Sequence, residues 1–251
     1  MTKFLNLTNI KITKSFLKNK IEEGKKMLTV PRKGGLNRNS TMEPWEVLAE
    51  NRILYLTGPI AGDNCGERDY DPTSPEAISQ SMIILDSINH KPIKLVIDSP
   101  GGTLQDGLNF YNVMQCVSSP VYTIGKWCAS MAAILFAAGA QTHRYIYPYA
   151  RIMLHPHYGH FERNQGEVKR QLAEFEKDTN VLVDLLIKHG CASKRRAILK
   201  DIDNGFYLSN QDAVNYGVAD HVITPAIHQE LFGKLKIPSW PEVLATIKRR
   251  S

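Results

Sequence analysis

Three short stretches hold residues that could do acyl-transfer chemistry. In Ala129-Ser130-Met131-Ala132-Ala133 a serine flanked by small side chains opens an apolar run that ends at Ala138-Gly139. A serine at a helix start commonly serves as an N-cap. At the sharp entry to a buried helix its hydroxyl is also presented to a cleft, while the next amide points at a developing oxyanion. The second stretch is Asp98-Ser99-Pro100-Gly101-Gly102. Paired glycines there permit a tight turn, and equally permit close approach of main chain to a ligand. A serine is inert until a base takes its proton, and His155 closes the third stretch, Arg151-Ile152-Met153-Leu154-His155. It is one of eight histidines; His143, His157 and His160 read as surface or loop residues.

The elements that must position these groups follow from periodicity. Residues 52–56 form a short β-rich run closed by Thr57-Gly58-Pro59, and residues 62–75 are a charged loop rich in turn formers. A helix opens near Pro75, with Ile78, Met82, Leu85 and Ile88 at helical spacing. The continuous apolar run 93–97 predicts a strand covered on both faces. Then come a helix over 104–116, a strand over 121–124, a helix over 130–138, and strands over 142–146 and 152–154. Strand alternating with helix in this way predicts an α/β domain of parallel, crossover-connected units. From about 166 to 189 a longer helix carries an apolar stripe of Val168, Leu172, Phe175, Leu182, Leu185 and Leu186, which requires a partner surface. The preceding end of the domain reads as a short helix finishing near Asn51 after a Gly/Asn/Arg loop over 33–41.

Composition narrows the classes. The chain has 251 residues, 43% hydrophobic and 22% charged, which is ordinary for a globular protein. Its net charge of +6 comes largely from the ends, such as Lys18, Lys20, Lys25, Lys26 and Lys248, Arg249, Arg250. No basic stretch is interleaved with aromatics as a base-stacking surface would be, so nucleic acid is not an expected partner. Cys65, Cys116, Cys128 and Cys191 lack the spacing of a zinc site or disulfide framework, and a reducing compartment fits. No apolar run is long enough for a membrane span. Residues 1–27 alternate apolar side chains with lysines and read as a pro-segment, an organellar presequence or a basic extension. Glu22, Glu23 and the lack of arginine argue against the presequence.

Ser99-Pro100-Gly101-Gly102, Ala129-Ser130-Met131 and Arg151-Ile152-Met153-Leu154-His155, in that order, resemble the signature blocks of the Clp protease proteolytic subunit family. The resemblance extends to Tyr207-Leu208-Ser209-Asn210-Gln211-Asp212-Ala213, Tyr216-Gly217 and Asp220, and back to Arg52-Ile53-Leu54-Tyr55-Leu56-Thr57-Gly58. It implies a crotonase-like α/β fold of layered parallel sheets with crossover helices and a projecting handle helix. The peptidase domain would span 42–225, between a basic extension and loop over 1–41 and a C-terminal tail over 226–251. It also implies Ser130 as nucleophile, His155 as base, and the Gly102 and Met131 amides as the oxyanion hole. The expected assembly is a pair of stacked heptameric rings of this chain, cleaving unfolded polypeptides fed by a hexameric AAA+ unfoldase. ATP belongs to that partner, because this chain has no G-x-x-x-x-G-K-[ST] loop; no metal or organic cofactor is expected. The expected compartment is a bacterial-type cytoplasm, with an organelle lumen as the alternative.

The pattern departs from the family at the third triad member, where the aspartate position is Gly205. Asp203 is the expected substitute, with Asn204 as the other choice; asparagine can orient a histidine but does not stabilise the imidazolium as a carboxylate does. That departure supports a second reading, a catalytically silent ring subunit co-assembling with active copies. A third reading, an acyl-CoA hydratase-like enzyme, rests on fold analogy alone. Lys126-Trp127-Cys128 also replaces the small residues usual before the nucleophile, and would either narrow the pocket or pack away from it.

Overall fold

The computed structural model describes residues 30–31, 41–61, 71–156, 165–203 and 205–235. The readings made for residues 1–27, most of the 33–41 and 62–75 loops, His157, His160 and Asn204 lie outside them. The chain divides into two units, residues 1–47 with 237–251, and residues 48–236. Within the first, β1 (Val30–Pro31) and β2 (Thr41–Met42) pair antiparallel. Helix α1 covers Pro44–Glu50.

The second unit is built on a six-stranded sheet. Strands β3 (Ile53–Thr57), β4 (Ile93–Ser99), β5 (Val121–Ala129) and β6 (Arg144–Leu154) are neighbours in that order and parallel throughout. Strand β7 (Phe206–Leu208) joins β6 antiparallel, and β8 (His221–Val222) joins it parallel. Parallel neighbours need crossovers, which are supplied by α2 (Pro75–Ile88), α3 (Leu104–Cys116) and α4 (Met131–Ala137). Ser74 and Thr103 cap α2 and α3 by accepting from the amides of Ala77 and Asp106. The main core lies between these helices and the sheet, around Leu56, Ile97, Phe110, Leu135, Phe136 and Ile152, all nearly or wholly buried. A smaller cluster of Ile53, Val96, Ile124, Ile223 and Leu231 lies on the opposite face. It is covered by α8 (Pro225–Phe232), a helix within the stretch read from sequence as C-terminal tail.

The two strands expected over 142–146 and 152–154 are one continuous strand, β6. Pro148 suggests a break because it cannot donate to a ladder. Here the ladder to β5 steps from Gly125–Ile146 directly to Trp127–Arg151, so residues 147–150 need no donor toward β5. The predicted long helix is α5 (Gln165–Lys188). Of the predicted stripe Leu186 is buried, Val168, Phe175, Leu182 and Leu185 are half-buried and Leu172 is exposed; outside it Val183 is buried, whereas Val181 and Ile187 are exposed. Two further helices follow, α6 (Arg195–Ile202) and α7 (Asn210–Tyr216), the latter opened by a capping box from Ser209 and Asp212.

Candidate active site

Three adjacent parallel strands deliver the three sequence motifs to one edge of the sheet. Strand β4 ends at Ser99 and passes into Gly101-Gly102; β5 ends at Ala129 and passes into Ser130; β6 ends at Leu154 and passes into His155. The carboxyl ends of parallel strands are the usual position for a site in an open α/β sheet.

Ser130 is the sharp entry to α4. Its φ of 56° and ψ of −127° place a non-glycine residue at positive φ, a conformation that costs free energy and persists only where the surroundings over-determine it. They do so here. The Ser130 amide donates to the Met153 carbonyl at 2.7 Å, tying the elbow to β6, and its carbonyl accepts from Ala133 at 3.0 Å. The hydroxyl makes no capping hydrogen bond to the helix. The N-cap role that a serine normally has at this position is therefore unfilled, and Oγ is left for the cleft.

The glycine turn is packed directly on this elbow. Gly101 has φ +88°, and a Cβ there would stand 2.5 Å from the Ala129 carbonyl oxygen, 2.7 Å from Ser130 Cβ and 2.9 Å from the Met131 amide nitrogen. A Cβ on Gly102 would stand 1.9 Å from the Ile60 carbonyl oxygen, so this position also requires glycine, and its exposed main chain faces outward. Ser99, fully buried, locks the turn: its hydroxyl donates to the Gly58 carbonyl at 2.6 Å and accepts from the Gly101 amide at 3.1 Å. Sequence reasoning assigned no such role to Ser99. A buried hydroxyl beside a Gly-Gly turn is the signal that would have found it.

Gly102, Ser130, Met131 and His155 line one cavity of about 310 Å³, together with Thr103, Leu104, Pro156 and Leu182. Leu104, Met131 and Leu182 give this lining apolar side chains as well as polar groups. His155 is half-buried, and its Nδ1–H donates to the Pro156 carbonyl at 2.5 Å. In the neutral ring that hydrogen bond places the proton on Nδ1 and the lone pair on Nε2. Asp203, by contrast, is exposed at the C-cap of α6 and does not line the cavity.

Lys126, Trp127 and Cys128 do not line it either. Lys126 pairs with Asp98 at 2.8 Å, and that hydrogen bond raises its pKa. Cys128 is buried, which pushes its thiol well above the ordinary range. Of the two roles open to this segment, the structure shows packing away from the site. Among the described residues no group of three His, Cys, Asp or Glu side chains gathers to hold a metal, and no helix is long and apolar enough to cross a membrane.

A family model described as Clp protease matches residues 37–226. The ATP-dependent Clp protease proteolytic subunit 1 of Rhodopirellula baltica is 32% identical over 198 residues, covering 77% of this chain and 82% of its own. The ATP-dependent Clp protease proteolytic subunit of Carsonella ruddii is 32% identical over 184 residues, covering 72% and 89%. The match spans the parallel sheet, the serine elbow and the glycine turn together, and this chain belongs to the Clp protease family of serine-type peptidases.

Proposed function

We propose that this chain hydrolyses peptide bonds through Ser130 and His155, as the proteolytic subunit of an ATP-dependent protease. The observation that carries the assignment is a serine held at positive φ, its hydroxyl unused by the helix it opens, in the same cavity as a histidine whose Nδ1 is already engaged. Nε2 takes the Ser130 proton as Oγ attacks the carbonyl carbon. The resulting oxyanion is stabilised by the Met131 and Gly102 amides, each worth about 3 kcal/mol in comparable sites. The imidazolium then protonates the leaving amine, and water repeats the cycle on the acyl-enzyme. These steps use side chains and main chain only and require neither metal nor organic cofactor. Asp203 is the carboxylate that the sequence offers as a third member, by its place just ahead of β7.

The two relatives are named as ATP-dependent, and this chain lacks a phosphate loop, which supports an AAA+ unfoldase as the source of ATP use and of unfolded polypeptide substrate. The exposed Leu172, Val181 and Ile187 of α5 support packing of copies against one another in paired heptameric rings. Free thiols at Cys116, Cys128 and Cys191 support a reducing compartment such as a bacterial cytoplasm.

The test is labelling by a fluorophosphonate probe alongside cleavage of a short fluorogenic peptide, with Ser130→Ala as control. Labelling and cleavage that are both lost in the control support the assignment; absence of labelling in the assembled parent protein refutes it.

A further inference from the structure

We infer that Gly107, inside α3, is a positioning residue for substrate selection: having no side chain, it lets the Met131 thioether lie flat on α3 and so sets how large a substrate side chain the cavity accepts. The inference rests on the Ser130–His155 reading above, in the cavity that those two residues share with Gly102, Met131, Leu104 and Leu182. Glycine is the poorest helix former after proline, yet Gly107 lies buried in the interior of a regular helix, one turn after Leu104. A Cβ there would stand 2.1 Å from Met131 Cγ, 2.8 Å from its Sδ and 3.0 Å from its Cε. Every side-chain atom of Met131 beyond Cβ therefore runs along α3 at the one place where the helix offers no side chain. Residues three apart share a helix face, so that place is on the face that Leu104 brings to the cavity.

The attacked carbonyl carbon has to stand about 3 Å from Ser130 Oγ, with its oxygen at the Gly102 and Met131 amides. The side chain on the acyl side of that carbonyl then enters the same cavity, beside Leu104, Met131 and Leu182. Met131 thus acts twice, its amide on the oxyanion and its side chain as a surface under the substrate, and only the second depends on Gly107. A methyl group at 107 is not relieved by bending the far end of the thioether, because the nearest atom is Cγ, close to the main chain. A different staggered χ1 is required, and it swings sulfur and methyl off α3. Met131 is 2% exposed in close-packed surroundings, so the space open to the displaced atoms is the cavity of about 310 Å³. Gly101 is different: a Cβ there meets the main chain of the elbow, which disturbs the reacting groups for every substrate alike. At Gly107 the three nearest atoms all belong to the Met131 side chain.

The experiment measures kcat and KM on the full chain for fluorogenic peptides that differ only in the residue before the cleaved bond, alanine, leucine or phenylalanine. Fluorophosphonate labelling and melting temperature are recorded alongside, for the parent, Gly107→Ala, Met131→Ala and the double variant. Gly107→Ala should lower kcat/KM for the leucine and phenylalanine peptides about tenfold or more relative to the alanine peptide, the effect that one methylene of misfit has in an apolar pocket. The double variant lacks the three atoms that the new Cβ meets, and should return that ratio to within about threefold of the parent, as expected of two residues in direct contact. A role for Gly107 in helix packing alone would lower the melting temperature and act on all three peptides equally. An equal change on all three, no change, or a ratio that the double variant leaves unrestored overturns the inference. If Gly107→Ala does not fold, Met131→Ala decides: it deepens the cavity toward α3 and should raise the phenylalanine-to-alanine ratio about threefold or more, and an unmoved ratio overturns the inference. A parent chain that fails to label defeats the Ser130 reading and this inference with it; a parent that labels and cleaves, with ratios that do not move in the variants, defeats this inference alone.

Discussion

Replacing Gly101 by alanine is expected to cost activity far more than stability, and the reason is geometric. The new Cβ would lie 2.5, 2.7 and 2.9 Å from Ala129 O, Ser130 Cβ and Met131 N, roughly 1 Å inside the 3.5–4.0 Å at which such atoms attract. These neighbours are the backbone and Cβ of the elbow itself and cannot rotate out of the way. The positive φ adds about 1–2 kcal/mol for a residue with a Cβ, and the overpacking about 1–3 kcal/mol. A total of about 2–5 kcal/mol lowers the melting temperature by about 4–20 °C in a domain of 150–250 residues. The elbow is displaced to relieve the contact, and a shift near 1 Å at a reacting group costs about 100-fold in rate. Gly190→Ala is the control, since Gly190 has φ +97° with its nearest neighbours at 3.8 Å, so only the conformational cost applies. Differential scanning calorimetry and peptide cleavage on both variants check the argument. If Gly101→Ala loses no more kcat than Gly190→Ala, the claim that the glycine turn holds the elbow in place is wrong.

Arg144→Met is expected to lower the melting temperature strongly: Arg144 is nearly buried, binds Asp220 through Nε and Nη2 at 2.9 and 2.6 Å, and donates to the His189 and Gly217 carbonyls. Breaking a buried pair from one side costs about 3–5 kcal/mol, and thermal melts of the variant will show whether the cost is of that size. His189 gives a pH dependence. Burial first, then the nearby Lys188 and Arg144 charges, pull its pKa down to about 4 from 6.5. The unfolded chain therefore binds the proton first as pH falls, and stability contributed by the neutral ring is lost between about pH 6.5 and 4. Denaturant melts across that window should slope in the parent chain and flatten in His189→Gln; equal slopes would refute the role of this ring. Lys126→Ala should change kcat/KM less than about twofold, because its partly exposed pair with Asp98 is worth about 1 kcal/mol at most and lies off the cavity. Steady-state kinetics on the variant test this.

What the sequence revealed and what it hid follow from range. The serine elbow and glycine turn were legible because their requirements are local: positive φ, small neighbours and an abrupt change from strand to apolar helix. Strand β6 was read as two pieces, 142–146 and 152–154; that they are continuous depends on residues 147–150 bulging opposite the single residue Lys126 of β5, which is a tertiary fact. Leu182 and Leu104 were not singled out as cavity residues. Leu182 belongs to a stripe whose period shows that a face is apolar, but the neighbour that each member meets is a tertiary fact. Helix α6 escaped notice because it is short and carries Arg195, Arg196 and, in its last turn, Lys200 around only two buried side chains, Ile198 and Ile202.

The same reasoning explains why the third triad position was the least legible part of the site. Ser130, His155 and the glycines each leave the end of a parallel strand, so a motif adjacent to an apolar run already fixes which edge of the sheet it reaches. The acid position arrives from the other direction, on β7, the antiparallel neighbour of β6. Its distance from His155 is set by a register that a single added residue shifts, and such a shift turns every side chain of the strand to the opposite face. Counting along the chain therefore left Asp203 as the expected substitute and Asn204 as the other choice, with Gly205 at the family's position. The ladder runs from Ile152 opposite Leu208 to Leu154 opposite Phe206, and the residues in question lie just before it.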